Sequence, residues 1–329
     1  MKYVFGPVPS RRLGKSLGVD TIPLKTCNWN CVYCQLGRTR PVVNQRREYF
    51  PPQEILSEIT QAINFHGAGE IDWITFVGSG EPTLHTGIGW LIRKVKALSN
   101  LPVAVITNGA LLYQPEVRLE LSAADAVLPS LDAGSASLYR KINRPHPEIT
   151  FKRLLEGLVD FRKEFTGCLW VEVMLVSGLN DTEQALRDIS AALALFQPDE
   201  VHINLPERPP VEAWVNPPGS EALLKARAIL GSAARIVHPA QGEFDLSQYQ
   251  DPLEGIISTI KRHPISQAEL ERILEQQAPG QSKNLLARLE NDPRAFSVER
   301  YGVEFWIAAP AYFPPEDHSR NPSPNRNAP

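Results

Sequence analysis

Three of the four cysteines fall within eight residues, in the run Cys27-Asn28-Trp29-Asn30-Cys31-Val32-Tyr33-Cys34. Thiolates this close in sequence suit a metal centre; a disulfide framework spreads its cysteines along the chain. A C-x3-C-x2-C run can ligate three irons of one [4Fe–4S] cubane, whose usual protein complement is four cysteines. One iron is then left without a protein ligand and open to a small molecule. A structural zinc site asks for four ligands, commonly as two separated pairs. No second C-x2-C and no His-x3–5-His completes one, and His66 and His85 stand alone in the sequence. Cys168 lies apart, just before an apolar run, and reads as a buried structural thiol.

The cysteines need a scaffold, and the hydrophobic pattern supplies one. Six short β-like runs cover Ser16 to Ile22, Ile71 to Val77, Val103 to Thr107, Ala126 to Leu131, Leu169 to Val176 and Val201 to Leu205. Most are continuous apolar runs, as expected of parallel strands covered on both faces. Helical periodicity separates them, for example at Ile55, Leu56, Ile59, Ala62 and Ile63 after Pro51-Pro52, and at Ile88, Leu91, Ile92 and Val95. Two more such patterns run through Leu154, Leu155, Leu158 and Phe161, and through Leu186, Ile189, Ala192 and Leu193. The alternation predicts an α/β fold with right-handed crossovers. A complete eight-unit barrel takes about 250 residues. The series ends near residue 205, so a partial (β/α)6 barrel is expected, with a flat doubly wound sheet as the competing layout. The cysteine run sits in the loop after the first of these strands.

Residues 206–218 hold five prolines and read as an ordered extended loop that closes the last strand. A small unit follows. Ser266-Gln267-Ala268-Glu269 has the form of a capping box. A second helix runs through Leu285, Leu286 and Leu289, then β-like runs at Ala295 to Val298 and Val303 to Ile307 flank a turn at Tyr301-Gly302. Helix, helix, hairpin is a winged-helix-like order. The expected organisation is a barrel over 1–225, a connecting segment over 226–260, the winged-helix-like domain over 261–310 and a disordered tail over 311–329.

Composition excludes several classes. Formal net charge is −3, hydrophobic residues make up 43% and charged residues 22%. Collagen-like, coiled-coil and wholly disordered chains differ from this, and no basic excess exists for general wrapping of nucleic acid. No stretch has the ~18 apolar residues of a membrane span. Nor does the start of the chain carry the apolar core of a signal peptide. A cytoplasmic protein with no membrane association is expected.

The cysteine run, with the aromatic Tyr33 just before its last thiol, resembles the radical S-adenosylmethionine (radical SAM) superfamily. In that family the open iron binds the amino and carboxylate groups of SAM. Reductive cleavage then yields a 5′-deoxyadenosyl radical that abstracts hydrogen. The likeness extends over about residues 5 to 210. Gly78-Ser79-Gly80-Glu81-Pro82 looks like the family's Gly-Gly-Glu motif, whose backbone carbonyls accept hydrogen bonds from the SAM ammonium. Asn108 ends the third predicted strand. Ser130 and Asp132 end the fourth, where the family contacts the SAM ribose or carboxylate. Ser177, Gly178 and Asn180 end the fifth, where it lines the adenine. The resemblance therefore implies a [4Fe–4S] cluster on Cys27, Cys31 and Cys34, with SAM beside Tyr33, Gly78, Ser79, Gly80, Glu81, Asn108, Ser130, Asp132 and Asn180. A branched side chain at Gly80 is expected to block SAM while leaving the cluster in place.

A narrower likeness, carried by Phe5 to Gly14, Gly80 to His85 and Asn204 to Pro210, is to the subgroup related to wyosine-type tRNA synthases, with traits of glycyl-radical-enzyme activases. It implies an electron donor such as flavodoxin or ferredoxin, and RNA or protein as substrate. Arg11, Arg12, Asn204, Glu207 and Arg208, flanking the open end of the predicted barrel, are the candidate substrate residues. Arginines suit phosphate or carboxylate. The rival reading is an iron–sulfur redox sensor that acts through the winged-helix-like unit.

Replacing Cys27, Cys31 or Cys34 singly by Ala should abolish the iron–sulfur centre, while Cys168→Ala should keep it. Iron and sulfide analysis of the reconstituted variants checks this. Equal loss in a folded Cys168→Ala protein would contradict the ligand assignment.

Overall fold

The computed structural model describes residues 1–67, 69–237, 244, 246 and 249–309. In chain order the elements are β1 (Val4–Ser10), β2 (Gly14–Val19), α1 (Pro52–His66), β3 (Trp73–Phe76), α2 (Ile88–Leu98), β4 (Val103–Thr107), α3 (Pro115–Leu121), β5 (Ala126–Pro129), α4 (Ala136–Ile142), α5 (Phe151–Glu164), β6 (Cys168–Met174), α6 (Glu183–Ala194), β7 (Glu200–Asn204), α7 (Ser220–Leu230) and β8 (Ala234–Ile236). They form one eight-stranded sheet in strictly sequential order. Only β1–β2 is antiparallel, and the six pairings from β2–β3 to β7–β8 are parallel. A doubly wound sheet reverses its strand order at a switch point. This one never reverses, so it curls into a partial, open barrel with β1 and β8 at its edges.

Two strands escaped the hydrophobic pattern. β1 carries Pro7 and Pro9, which lack amide donors and are tolerated on an edge strand. β8 has three residues, too short for a period to register. The short helices α3 and α4, seven residues each, were missed for the same reason.

Strand alternation sorts the barrel into an outer and an inner layer. Leu169, Val171 and Val173 of β6 join Ile74, Phe76, Val103, Val105, Val201 and Ile203 in the core that faces the helices. Trp170, Glu172 and Met174 take the opposite parity. On that inner face Leu13, from the β1–β2 turn, packs with Ala104, Ala126, Leu128, Trp73 and Trp170. The inside of the barrel is thus plugged with apolar side chains at one level. Elsewhere it carries polar ones, such as Ser16 and Thr75, whose hydroxyls lie 2.6 Å apart. Cys168 is exposed, not buried as expected from its apolar neighbours. It begins β6 at the amino end of the strand, remote from the cysteine loop, and its parity turns it away from the helix-facing core.

The remaining elements are α8 (Pro252–Ile260), β9 (Ile265–Ser266), α9 (Gln267–Gln277), α10 (Ser282–Glu290), β10 (Ala295–Arg300) and β11 (Val303–Ala308). Their sheet order is β10-β11-β9. Three helices and this small antiparallel sheet make a winged-helix-like module. Ser266 caps α9 as the capping box predicts, its hydroxyl accepting the Glu269 amide at 3.2 Å. The boundaries differ from the sequence expectation. α7 runs across position 225 and leads into β8, so the barrel sheet extends to Ile236. The segment 226–260 is no plain connection: its α8 supplies Leu253, Ile256, Ile257 and Ile260 to the module's core, against Leu270, Ile273, Leu285 and Leu289. A nine-residue helix between two others has too few periods to be assigned from pattern alone. The expected disordered tail over 311–329 lies outside the described residues.

The module docks on the barrel. Arg262 Nε is 3.2 Å from Asp20 Oδ2, and its guanidinium lies 4.7 Å from the centre of the Phe5 ring. Gln35 Nε2 donates to the Arg262 carbonyl at 2.9 Å, and the Tyr301 hydroxyl to the Val215 carbonyl at 3.0 Å. No helix among the described residues is long and apolar enough to cross a membrane.

A chain ended at residue 261 keeps α8 but removes Leu270, Ile273, Leu274, Leu285, Leu289 and Trp306 from the cluster that buries Ile256, Ile257 and Ile260. Each such side chain is worth ~1.5–3 kcal/mol when buried. The truncated protein should aggregate in gel filtration, and a soluble monodisperse 1–261 would contradict this account of the module's core.

Candidate active site

The cysteine loop follows β2 and lies across the carboxyl ends of β3 to β7, the end at which barrel sites are built. Its three thiols are free and partly buried. Each receives protein hydrogen bonds. Cys27 Sγ accepts from the Trp29 amide at 3.4 Å and from Asn108 Nδ2 at 3.8 Å. Cys31 Sγ accepts from Asn143 Nδ2 at 3.7 Å, and Cys34 Sγ from Lys25 Nζ at 3.1 Å. Burial, then the charge of Glu81, pushes the Cys27 thiol up to about 12. Burial, then Cys27 and Asp132, holds Cys31 well above the ordinary thiol range. Burial lowers the Lys25 ammonium, but the sulfurs of Cys34, Cys27 and Cys31 outweigh it and raise the pKa. A metal that binds such thiols must displace their protons.

Among the described residues no three His, Cys, Asp or Glu side chains converge as a single ion requires. A cubane places each thiolate on a different iron and so holds them farther apart. Three separated thiols, each with donors aimed at its sulfur, fit that donor set. The donors stabilise the thiolate form and tune the centre.

The turn after β3 is locked to this loop. Gly78 has φ +141°, and a Cβ there would meet the Asp20 carboxylate at 2.7 Å. A Cβ on Gly80 would stand 1.9 Å from the Thr26 carbonyl oxygen, which accepts the Glu81 amide at 3.0 Å. The Ser79 carbonyl accepts the Lys25 amide at 2.6 Å. The carbonyls of Gly78 and Gly80 are then the turn's candidates for an ammonium ligand. Ser79 donates through its amide to Asp20 Oδ1 at 3.2 Å and through its hydroxyl to Asp20 Oδ2.

The Glu81 carboxylate is fully occupied. It accepts from the Thr83 amide and hydroxyl at 3.0 and 2.5 Å, from the Thr107 hydroxyl at 2.6 Å and from the Asn108 amide at 2.7 Å. Burial raises its pKa, against the pull of those donors. Its side chain anchors β3 to β4, so any cofactor contact of Glu81 runs through its main chain. Asp132 plays the matching role on the far side. It accepts from the Tyr33 hydroxyl at 2.5 Å, Asn143 Nδ2 at 2.6 Å and the Met174 amide at 2.8 Å. Asn180 donates to the carbonyls of Asp132 and Met174, both at 2.8 Å, and accepts the Val176 amide at 2.7 Å. Asn108 Nδ2 reaches Asn28 Oδ1 at 2.6 Å. Ser130 is half-buried and bridges to Glu172.

The candidate substrate residues gather inside the barrel. Arg11 pairs with Glu207 at 2.5 Å, and Arg12 pairs with Glu172. Asn204 Nδ2 donates to Glu172 Oε1 at 3.3 Å, and Arg208 Nη1 reaches Gln35 Oε1 at 3.5 Å. The proline-rich loop lies directly on the cysteine loop: the Val211 amide donates to the Cys34 carbonyl at 3.1 Å and the Glu212 amide to that of Val32 at 3.3 Å. Sequence reasoning missed Asp20, Lys25, Asn143 and Glu172. Asp20 follows the end of its strand, where the same positional rule would have found it. Lys25 stands two residues before the first cysteine, a cation beside three thiolates. Asn143 and Glu172 carry no local signal, since only the fold brings them to the site.

Residues 21–189 match the family model described as Radical SAM superfamily. The chain belongs to the radical SAM superfamily, and its cofactors are that family's [4Fe–4S] cluster and S-adenosylmethionine. Along nearly its full length it is similar to a UPF0026 protein of Methanocaldococcus jannaschii, 32% identical over 313 residues that cover 93% of this chain and 96% of that one. A Brachyspira hyodysenteriae protein named GTPase Obg is 45% identical over 202 residues, which span 61% of this chain but only 29% of that protein. The fold is shared with a radical SAM methyltransferase from Sphaerobacter thermophilus, at TM-score 0.50 and 18% identity over 67% of this chain and 65% of that one.

The Gly80–Thr26 contact corrects the expectation that a substitution at Gly80 spares the cluster. Gly80→Ala should displace the Thr26 carbonyl, and with it Cys27, so that iron content and SAM affinity fall together. Iron analysis beside calorimetry on the anaerobic protein checks this. Full iron with normal SAM binding would contradict it.

Proposed function

We propose that this radical SAM enzyme reductively cleaves S-adenosylmethionine and uses the radical so formed for hydrogen abstraction from a substrate. When bound, the cluster and SAM supply the one-electron chemistry and the 5′-deoxyadenosyl radical. Cys27, Cys31 and Cys34 hold the cluster. The Gly78 and Gly80 carbonyls receive the SAM ammonium. Tyr33, Asn108, Ser130, Asp132 and Asn180 shape the walls for the rest of the cofactor, Asp132 and Asn180 by fixing the loops after β5 and β6. Arg11, Arg12, Asn204, Glu207 and Arg208 face the substrate. A flavodoxin- or ferredoxin-type donor delivers the electron, and the likeness to wyosine-type synthases and activases points to RNA or protein as the substrate class.

One observation carries the reading: three free, donor-capped thiols sit in a loop locked to the glycine turn by two main-chain hydrogen bonds, Lys25 amide to Ser79 carbonyl and Glu81 amide to Thr26 carbonyl, and by the close approach of Gly80. A redox sensor would need the thiols but not the turn. The anaerobically reconstituted protein, given SAM and dithionite, should release 5′-deoxyadenosine, and Cys31→Ala should release none. A reconstituted wild-type protein with full iron that leaves SAM intact would overturn the proposal.

A further inference from the structure

We propose that Arg11, Arg12 and Arg208 together bind a phosphate group of the substrate. The inference deepens the function proposed above and rests on it only for calling the bound molecule a substrate.

Charge balance is the first ground. Arg11 is matched by Glu207 and Arg12 by Glu172. Arg208 has no carboxylate within ion-pair distance among the described residues, and its nearest partner is the Gln35 amide oxygen at 3.5 Å. Two of the three guanidinium groups are thus ion-paired, while Glu269 and Glu207 act on Arg208 only from beyond ion-pair distance. Charges away from solvent are normally paired, because desolvating a lone one is costly.

Orphaned donors and mutual repulsion are the second. Arg12 Nε is buried with no acceptor, on a side chain only 15% exposed. Burial and then the charge of Arg11 bring the Arg12 guanidinium down to about 10, and the same two causes lower Arg208 against the opposing pull of Glu269 and Glu207. Burial and then Arg208, Arg262 and Arg11 hold His263 neutral, near 3. Cations already in excess exclude one more. An anion between them would reverse that repulsion.

Shape and place are the third. Arg208 and His263 are enclosed by protein yet keep partial solvent access, as residues lining a cleft do. The winged-helix-like module contributes Arg262 and His263 to this enclosure, and Gln35, the residue after Cys34, bridges Arg208 and the Arg262 carbonyl. A ligand there lies beside the cysteine loop. Three guanidinium forks favour phosphate over carboxylate, since a phosphate offers at least three acceptor oxygens to distribute among them and a carboxylate two.

The test titrates inorganic phosphate, pyrophosphate and, separately, succinate into the anaerobically reconstituted full-length protein, read by calorimetry. Phosphate or pyrophosphate should bind saturably and more tightly than succinate. Arg208→Gln should weaken that binding by about tenfold or more, the loss expected when a charge-assisted hydrogen-bond pair is removed. Arg208→Lys should weaken it less, and unchanged iron content reports that each variant is folded. Absence of saturable binding, succinate binding as tight as phosphate, or undiminished affinity in folded Arg208→Gln and Arg12→Gln would each overturn the proposal. Deoxyadenosine release is not read in this titration, so phosphate binding by a protein that fails to cleave SAM would sink the proposed function and leave the phosphate site standing.

Discussion

The Thr26 carbonyl oxygen occupies the place where any side chain at position 80 would begin. Nothing but glycine lets the loop before Cys27 lie flat against the turn after β3. Once they touch, the Glu81 amide binds the Thr26 carbonyl and the Lys25 amide binds that of Ser79. These main-chain contacts set the height of the first cysteine above the sheet. They also bring the Lys25 ammonium to the last one, 3.1 Å from its sulfur. A contact between backbones has no rotamer to adjust, so the position of the cysteine loop is coupled rigidly to the barrel.

Three buried carboxylates extend the coupling. Glu81 gathers donors from the ends of β3 and β4, Asp132 from the cysteine loop and β6, and Asp20 from Ser79 and the module's Arg262. A carboxylate out of water is unfavourable unless its oxygens have donors. These three meet the condition, and in doing so they hold adjacent strand ends and the C-terminal module in one arrangement. Burial raises all three pKa values while the surrounding donors pull them down. Among the arginines beside them, Arg12 keeps a buried donor without an acceptor and Arg208 has only the Gln35 amide oxygen for a partner. Satisfied acids build the frame, and the unsatisfied bases face the space it encloses.

The module is more than an appendage on this scaffold. Arg262 packs on Phe5 and pairs with Asp20, which in turn positions Ser79 in the glycine turn. The likeness over about residues 5 to 210 therefore leaves out one contact that reaches the glycine turn. A side chain from the module braces the turn from behind. The route is short: Arg262, Asp20, Ser79, with one ion pair and two hydrogen bonds along it.

Local pattern was enough for much of this. The spacing of Cys27, Cys31 and Cys34, the glycine turn after β3 and the alternation of β-like runs with helical periods are all properties of neighbouring residues, and they made the superfamily and the open barrel legible. The Ser266 capping box and the Tyr301-Gly302 turn were legible for the same reason. The edge strands β1 and β8, the short helices and the place of α8 in the module's core were not, because each is too brief or too proline-rich to impose a period. The roles of Asn143 and Glu172, and the pairing of Asp20 with the module, could come only from the tertiary structure. Their partners lie 112 residues away at Cys31, 160 away at Arg12 and 242 away at Arg262. A short-range pattern states which face a residue occupies. Which distant charge meets it there is decided when the sheet curls and the module closes on it, since only then does the cost of leaving a buried charge unpaired select one partner.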